Sequence, residues 1–400
     1  MLLAALLLAL AVDDPVAPSD PVFDALLADG TTVAGRLKAI GGVAGPEVVL
    51  AVGDPAVDRA VPIAKLVKLT RRGVAPPALP EGSVVLLPEG DRLAGLVHSA
   101  TEEVLSVTSP LLGDQAVPLT AAVGVVLSPP AEPDALASLF DRVRGQPRDG
   151  DLAWLANGDR LAGRFQGLDA EALKFAPEAG PITLDRSSLL AVGFDPALTD
   201  YPRPEGPFLE LTLTDGTRLG VRDPVLAEGN LMAAGRHGAP VRLVVDDLAG
   251  LAVRGGAATY LSERPEPAAQ YVPYVGPVRP LRLDASVVGG PLLLGGRAYD
   301  RGLGTESRTL LAYRLEPDDS RFQATVGVDD RAGPLASVVF KVVVDREVAF
   351  ESPPMSAGDP PLTIDLPVAG ARLLILMTEF GRRGSVRDFA DWAEARVVRD

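Results

Sequence analysis

The stretch RFQATVGVDD, residues 321–330, decides how the C-terminal third of this chain folds. Phe322, Ala324, Val326 and Val328 alternate with Gln323, Thr325 and Gly327, the two-residue period of a strand with one face in a core. The strand runs into two adjacent carboxylates, Asp329 and Asp330. Neighbouring side chains on a strand leave on opposite faces, which argues against an acid–base pair acting on one substrate. Two other readings stay open. One is an Asx-type turn, in which a carboxylate caps its own loop amides. The other is a calcium site built from loop carboxylates and backbone carbonyls.

The sequence around it continues the pattern. SVVFKVVVD (337–345) and ARLLILMTEF (371–380) are apolar on nearly both faces, LTIDLPV (362–368) alternates, and DFADWAEARVVRD closes the chain. Such strands pack as a two-sheet antiparallel sandwich. With 41 glycines and 37 prolines in 400 residues, turns are dense enough for many short strands, and the chain reads as all-β.

The N-terminal part repeats itself. LLADGTTVAGRL (26–37), LLPEGDRLAGLV (86–97), WLANGDRLAGRF (154–165) and TLTDGTRLG (212–220) carry turn glycines Gly30, Gly90, Gly158 and Gly216. The period is roughly 60 residues. Asp-Gly and Asn-Gly between apolar runs are strong hairpin signals, and Glu-Gly in the second copy is a weaker one. Each copy continues with an apolar stretch and then a stretch split by a short polar break, as at Asp246-Asp247 in the fourth, where a solvated turn is expected. The pattern predicts small β-barrel or β-roll units over 22–72, 82–128, 150–195 and 207–256. Their element order resembles Sm-like and SH3-like small barrels. A short helix is expected from Asp134, as cap, to Arg144, with Leu136, Leu139, Phe140 and Val143 on one face. Residues 262–280 read as a Pro-rich extended linker, with an independent domain over 281–400.

The net charge of −15 disfavours nucleic acid and anionic lipid surfaces as partners. Without cysteine there are no disulfides, thiolate zinc sites or cysteine nucleophiles. The two histidines, His98 and His237, read as ordinary surface residues. The apolar run MLLAALLLALAV ends in Ala9-Leu10-Ala11, a cleavage pattern, although no basic residue precedes it. It predicts a signal peptide over 1–11, a mature start near Val12, a secreted or periplasmic location, and no membrane span after its removal.

RAYDRGLGTESRTLLAYRL, FQATVGVDD, SVVFKVVVDREVAFES and DFADWAEARVV, in this order and spacing, resemble the NPCBM family of carbohydrate-binding-module domains. The resemblance covers about the last 120 residues and implies a galactose-binding-like jelly roll that in some members binds galactosides beside an enzyme domain. Related sandwiches often hold a structural calcium, which would fall near Asp329 and Asp330. Where the family commonly has Gly-x-Gly-Thr-His, this chain has Gly302-Leu303-Gly304-Thr305-Glu306, and Asp345-Arg346 stands at its usual Asp-Gly turn.

A sugar platform needs a flat exposed aromatic. Tyr299 beside the glycine motif is the first candidate, Glu306 the second, and Trp392 the third, although Trp392 equally suits the core. Asp388 and Asp391 read as loop-fixing acceptors, and Tyr271 and Tyr274 as linker residues. The reading favoured is an exported, non-catalytic protein that binds a galactose-type glycan. Alternatives are an adaptor that contacts a cell-envelope protein, and an accessory part of a glycoside hydrolase system. A hydrolase itself would need two carboxylates facing across a cleft.

Overall fold

The computed structural model describes residues 21–41, 46–75, 80–272, 274 and 279–399. The leader expected at 1–11 and the start near Val12 lie outside them. The described residues are almost entirely antiparallel β-structure, with one α-helix among them.

The repeats fold as their glycines require. Gly30, Gly90, Gly158 and Gly216 have φ of 84°, 85°, 92° and 84°, the left-handed region that a side chain disfavours. In three copies the residue before the glycine accepts from the amide two places on: Asp29 from Thr31 at 2.9 Å, Asn157 from Asp159 at 3.0 Å, Asp215 from Thr217 at 2.8 Å. The second copy differs. Glu89 itself has φ 56°, and its carboxylate pairs with Arg236 at 3.0 Å. The second glycine of a copy marks a close approach. A Cβ on Gly35, Gly95 or Gly163 would lie 2.8, 2.7 or 2.6 Å from a carbonyl oxygen of the following strand, so only glycine fits the bend. The polar breaks are single 3-10 turns: Ile63–Lys65, Leu119–Ala121, Arg186–Ser188 and Val245–Asp247.

The four copies are joined to one another rather than standing as separate units. Each closes on itself by pairing its first strand with its last, as Phe208–Leu213 does with Leu248–Arg254. The last strands then pair across copies: Leu66–Arg71 with Leu248–Arg254, and Gly124–Val126 with Leu189–Gly193. Copies one and four, and copies two and three, are thereby joined edge to edge, and one core runs from Phe23 to Val253. Sheet edges left unpaired invite association, and this arrangement closes them internally. The helix spans Pro133–Gly145 with Glu132 as its cap residue, two positions before the expected cap Asp134, because proline is favoured at the first helical position. Leu136, Leu139, Phe140 and Val143 pack on Val84, Val126 and Trp154.

The C-terminal lobe is the expected sandwich. One sheet runs Arg282–Leu283, Gly302–Glu306, Phe389–Arg399, Asp319–Val328, Leu362–Pro367. The other runs Ala268–Tyr271, Thr309–Arg314, Leu373–Phe380, Ser337–Val344, Glu347–Glu351. Ala258–Tyr260 pairs with Phe389–Arg399, Ala268–Tyr271 pairs with Thr309–Arg314, and Leu261 is in the sandwich core. The segment expected to be a spacer therefore supplies one edge strand, Ala268–Tyr271, another lies just ahead of it at Ala258–Tyr260, and the sandwich starts near residue 258. Short edge strands flanked by proline carry too little alternation to be read from sequence.

The strand Asp319–Val328 buries more than its alternation foretold. Its polar position Gln323 is buried and accepts from Arg396 Nε at 3.1 Å. The N-terminal lobe covers this outer face. Lys68 pairs with Glu394 at 2.6 Å, and Val67 packs with Ala258 and Val398.

Candidate functional site

The residues singled out by sequence fall into two groups. Trp392, Asp329 and Asp330 are structural. Trp392 is 0% exposed, its ring meets Phe340 edge-on at 5.1 Å, and its indole N–H donates to Thr378 Oγ1 at 3.0 Å. It is a core residue and no sugar platform, because no face of it reaches solvent.

Asp329 is also fully buried. It accepts from the Arg331 amide at 2.8 Å and from Arg331 Nε and Nη2 at 3.0 and 2.8 Å. Asp330 accepts from the Gly295 and Gly296 amides at 3.0 and 2.7 Å, fixing the tip of the hairpin that carries Tyr299. The capping reading is the one these bonds satisfy. The calcium expectation for the pair is corrected, since a guanidinium already stands against Asp329 and amides take both oxygens of Asp330. Among the described residues, the only three carboxylates close enough for one cation are Glu316, Asp318 and Asp319, and Arg264 pairs with Asp319 at 2.6 Å.

Asp391, expected to fix a loop, accepts from the Leu293 amide at 3.1 Å and lies against Asp329. Burial first, and the charge of Asp329 second, push its carboxyl well above the usual range. Burial also opposes the charge of Asp329, but the Arg331 bonds outweigh it and hold that group low. Of the pair, Asp391 is the one whose surroundings favour the protonated form. A carboxyl with a raised folded pKa stabilises fully below its unfolded value of about 3.9, and this contribution is lost as pH rises toward the folded value. Asn mimics the protonated form, so the melting temperature of Asp391→Asn relative to wild type should climb as pH is raised from 5 to 9. A flat difference would mean Asp391 is ionised throughout.

Tyr299 lines a groove between the lobes, and Glu306 lies outside its two pockets. The groove's outer pocket, about 600 Å³, is lined by Asp141 and Gln146 of the helix and by Arg282, Arg387 and Phe389 of the sandwich. Its inner pocket, about 300 Å³, is lined by Tyr299, Asp300, Arg92, Arg144 and Arg218. Arg282 and Asp141 line both and pair with each other at 2.7 Å. Tyr299 is half-buried, with the guanidinium of Arg297 4.8 Å from its ring centroid. Glu306 lines neither pocket. It pairs with Arg279 at 2.9 Å, whose guanidinium lies 5.4 Å from the ring of Phe389. The structure therefore connects Tyr299 and Glu306 only through the groove wall.

Sequence reasoning missed the groove's arginines. Arg92 and Arg218 occupy the same place in copies two and four, two residues after the turn glycine, and they stand opposite each other where those copies pair. The recurring G-D-R-L and G-T-R-L were the available signal. Tyr274, read as a linker residue, is 68% exposed and meets Phe380 edge-on at 5.6 Å. His237 corrects the surface expectation. It is buried beside Gln115 at 3.3 Å, and burial pulls its pKa down to about 4. His98 is exposed and meets Thr108 Oγ1 at 2.9 Å.

Residues 258–398 match the NPCBM/NEW2 domain model. A Renibacterium salmoninarum protein named "Putative endo-alpha-N-acetylgalactosaminidase" is 32% identical over 110 residues, 28% of this chain and 7% of that protein. The alpha-1,3-galactosidase B of Akkermansia muciniphila is 33% identical over 117 residues, 28% of this chain and 15% of that protein. The chain thus spans only a small part of these relatives. Among solved structures, the CBM51 module of a Clostridium perfringens GH95 protein, in complex with methyl-galactose, is 30% identical. That match covers 35% of this chain and 99% of the module, with a TM-score of 0.33. None of the matches supports the small-barrel likeness of the N-terminal copies. The C-terminal lobe resembles the carbohydrate-binding-type modules found in glycoside hydrolases.

Proposed function

We propose that the chain is a non-catalytic glycan-binding protein that recognises galactose-type carbohydrate in the groove between its lobes. The single observation that carries this is the domain match over 258–398, shared with proteins named for galactosaminide and galactoside hydrolysis. The groove offers what a pyranose needs. Tyr299 and Phe389 supply apolar surface, and Arg282, Asp141 and Gln146 supply donors and acceptors for hydroxyls. Nothing in the groove resembles two free carboxylates facing each other, since Asp141 is paired with Arg282, Asp284 with Arg301, and Asp300 lies against Arg92 and Arg218. The apolar run at residues 1–11 supports an exported setting, where such glycans are met. A glycan array probed with the full chain tests the reading. Signal on terminal galactosides is expected. Signal on no glycan, with a cell-envelope protein captured instead, would favour the adaptor role.

A further inference from the structure

We infer that the inner end of the groove is an oxyanion site, and that it selects glycans bearing a carboxylate or sulfate group. This rests on the glycan reading only for the carrier of the anion. The acidic chain concentrates three arginines, Arg92, Arg144 and Arg218, around one small pocket. Arg218 is 4% exposed. Its Nη2 donates to the Gly90 carbonyl at 2.8 Å, but its Nε and Nη1 have no hydrogen-bond acceptor. Glu210 and Asp300 come only to 4.0 and 3.5 Å of them. Arg144 Nε is likewise buried without an acceptor. A buried guanidinium with unmet donors is costly, and an oxyanion is the group that satisfies it with parallel charge-assisted bonds.

The other carboxylates nearby are committed elsewhere. Asp141 pairs with Arg282 and Asp284 with Arg301, both at 2.7 Å. Glu210 pairs with Arg301 and with Arg254. Asp91 accepts from the Tyr201 hydroxyl and the Gly220 amide at 2.6 and 2.8 Å. Asp300, with its side chain 42% exposed, faces two of the three arginines, Arg92 and Arg218, from the pocket wall. Burial first, and mutual repulsion second, bring Arg144 down to about 9 and Arg92 to about 10, although nearby carboxylates oppose both shifts. The pocket shares Asp141, Gly145 and Arg282 with the larger outer pocket and is itself lined by Tyr299, so an acid group lodged inside leaves its sugar ring near the aromatic.

Titration of the full chain at constant ionic strength with galactose, galacturonate, galactose 6-sulfate and inorganic sulfate tests this. At least one acidic sugar should bind about tenfold more tightly than galactose. Inorganic sulfate should compete with it, and Arg218→Gln should abolish the difference. Because Arg218 is buried and its variant can misfold, Asp300→Asn is the companion variant. Removing that exposed carboxylate should widen the preference severalfold. Equal affinity for all three sugars with no sulfate competition would overturn the inference and leave the glycan reading standing. Sulfate binding with no sugar binding would overturn the glycan carrier and leave an ion site alone.

Discussion

Glu210→Gln is expected to cost about 3–5 kcal/mol of stability and to separate the melting of the two lobes. Glu210 belongs to the N-terminal lobe, is buried, and holds Arg301 of the sandwich and Arg254 of its own lobe. Arg301 in turn reaches Asp284 at 2.7 Å and the Glu89 carbonyl at 3.3 Å. Replacing the carboxylate leaves two buried guanidiniums, Arg301 and Arg254, short of one negative charge. A broken buried pair costs far more than an exposed one, because the remaining charge cannot regain water. Burial opposes ionisation of Glu210, but those same arginines outweigh it and hold the carboxyl well below the ordinary range. A depressed carboxyl contributes its stability above the unfolded value of about 4.3, and that contribution is lost as pH falls below it. Calorimetry should therefore show a lower, split transition for the variant at pH 7, with the gap to wild type closing in acid. An unchanged single transition would show that the lobes are held by something else.

Trp392→Ala is the second large effect, about 3–5 kcal/mol. The indole fills the centre of the sandwich against Phe340 and satisfies Thr378, whose hydroxyl also meets Thr305 at 2.8 Å. The truncation leaves a cavity in the core and removes one donor from the Thr378 hydroxyl, which keeps its bond to Thr305. Denaturant unfolding of the variant should show a sandwich that melts before the N-terminal lobe. A variant of native stability with lost sugar binding would instead restore Trp392 as a platform, against its burial.

Much of this architecture can be read locally. The turn glycines and the bend glycines of the repeats fix their own backbone, so three to four residues suffice to predict them. The sandwich strands announce themselves by period and by apolar density. Pairing between copies is different. Strand registers such as Arg92 opposite Arg218 join residues far apart in the chain, and no local pattern dictates which edges meet. The same gap hid the groove, since its wall is built from copies two and four, the helix and the sandwich together. It also hid the burial of Gln323, whose outer face is polar by sequence yet covered by the N-terminal lobe. Trp392 shows the limit on single residues. An aromatic near a chain end suits a platform or a core equally until its neighbours are known.

Isothermal titration of the full chain with a methyl galactoside, wild type beside Tyr299→Ala, tests the central claim most directly. The half-buried Tyr299 supplies aromatic wall to the inner pocket of the groove. Shallow sugar sites of this kind reach about −4 to −6 kcal/mol, so saturation at millimolar to tens-of-micromolar sugar is predicted for wild type. Tyr299→Ala should weaken binding at least about tenfold without lowering the melting temperature, since the ring is outside both cores. Absence of heat for wild type at high sugar concentration, or equal binding by the variant, would contradict the assignment of this groove.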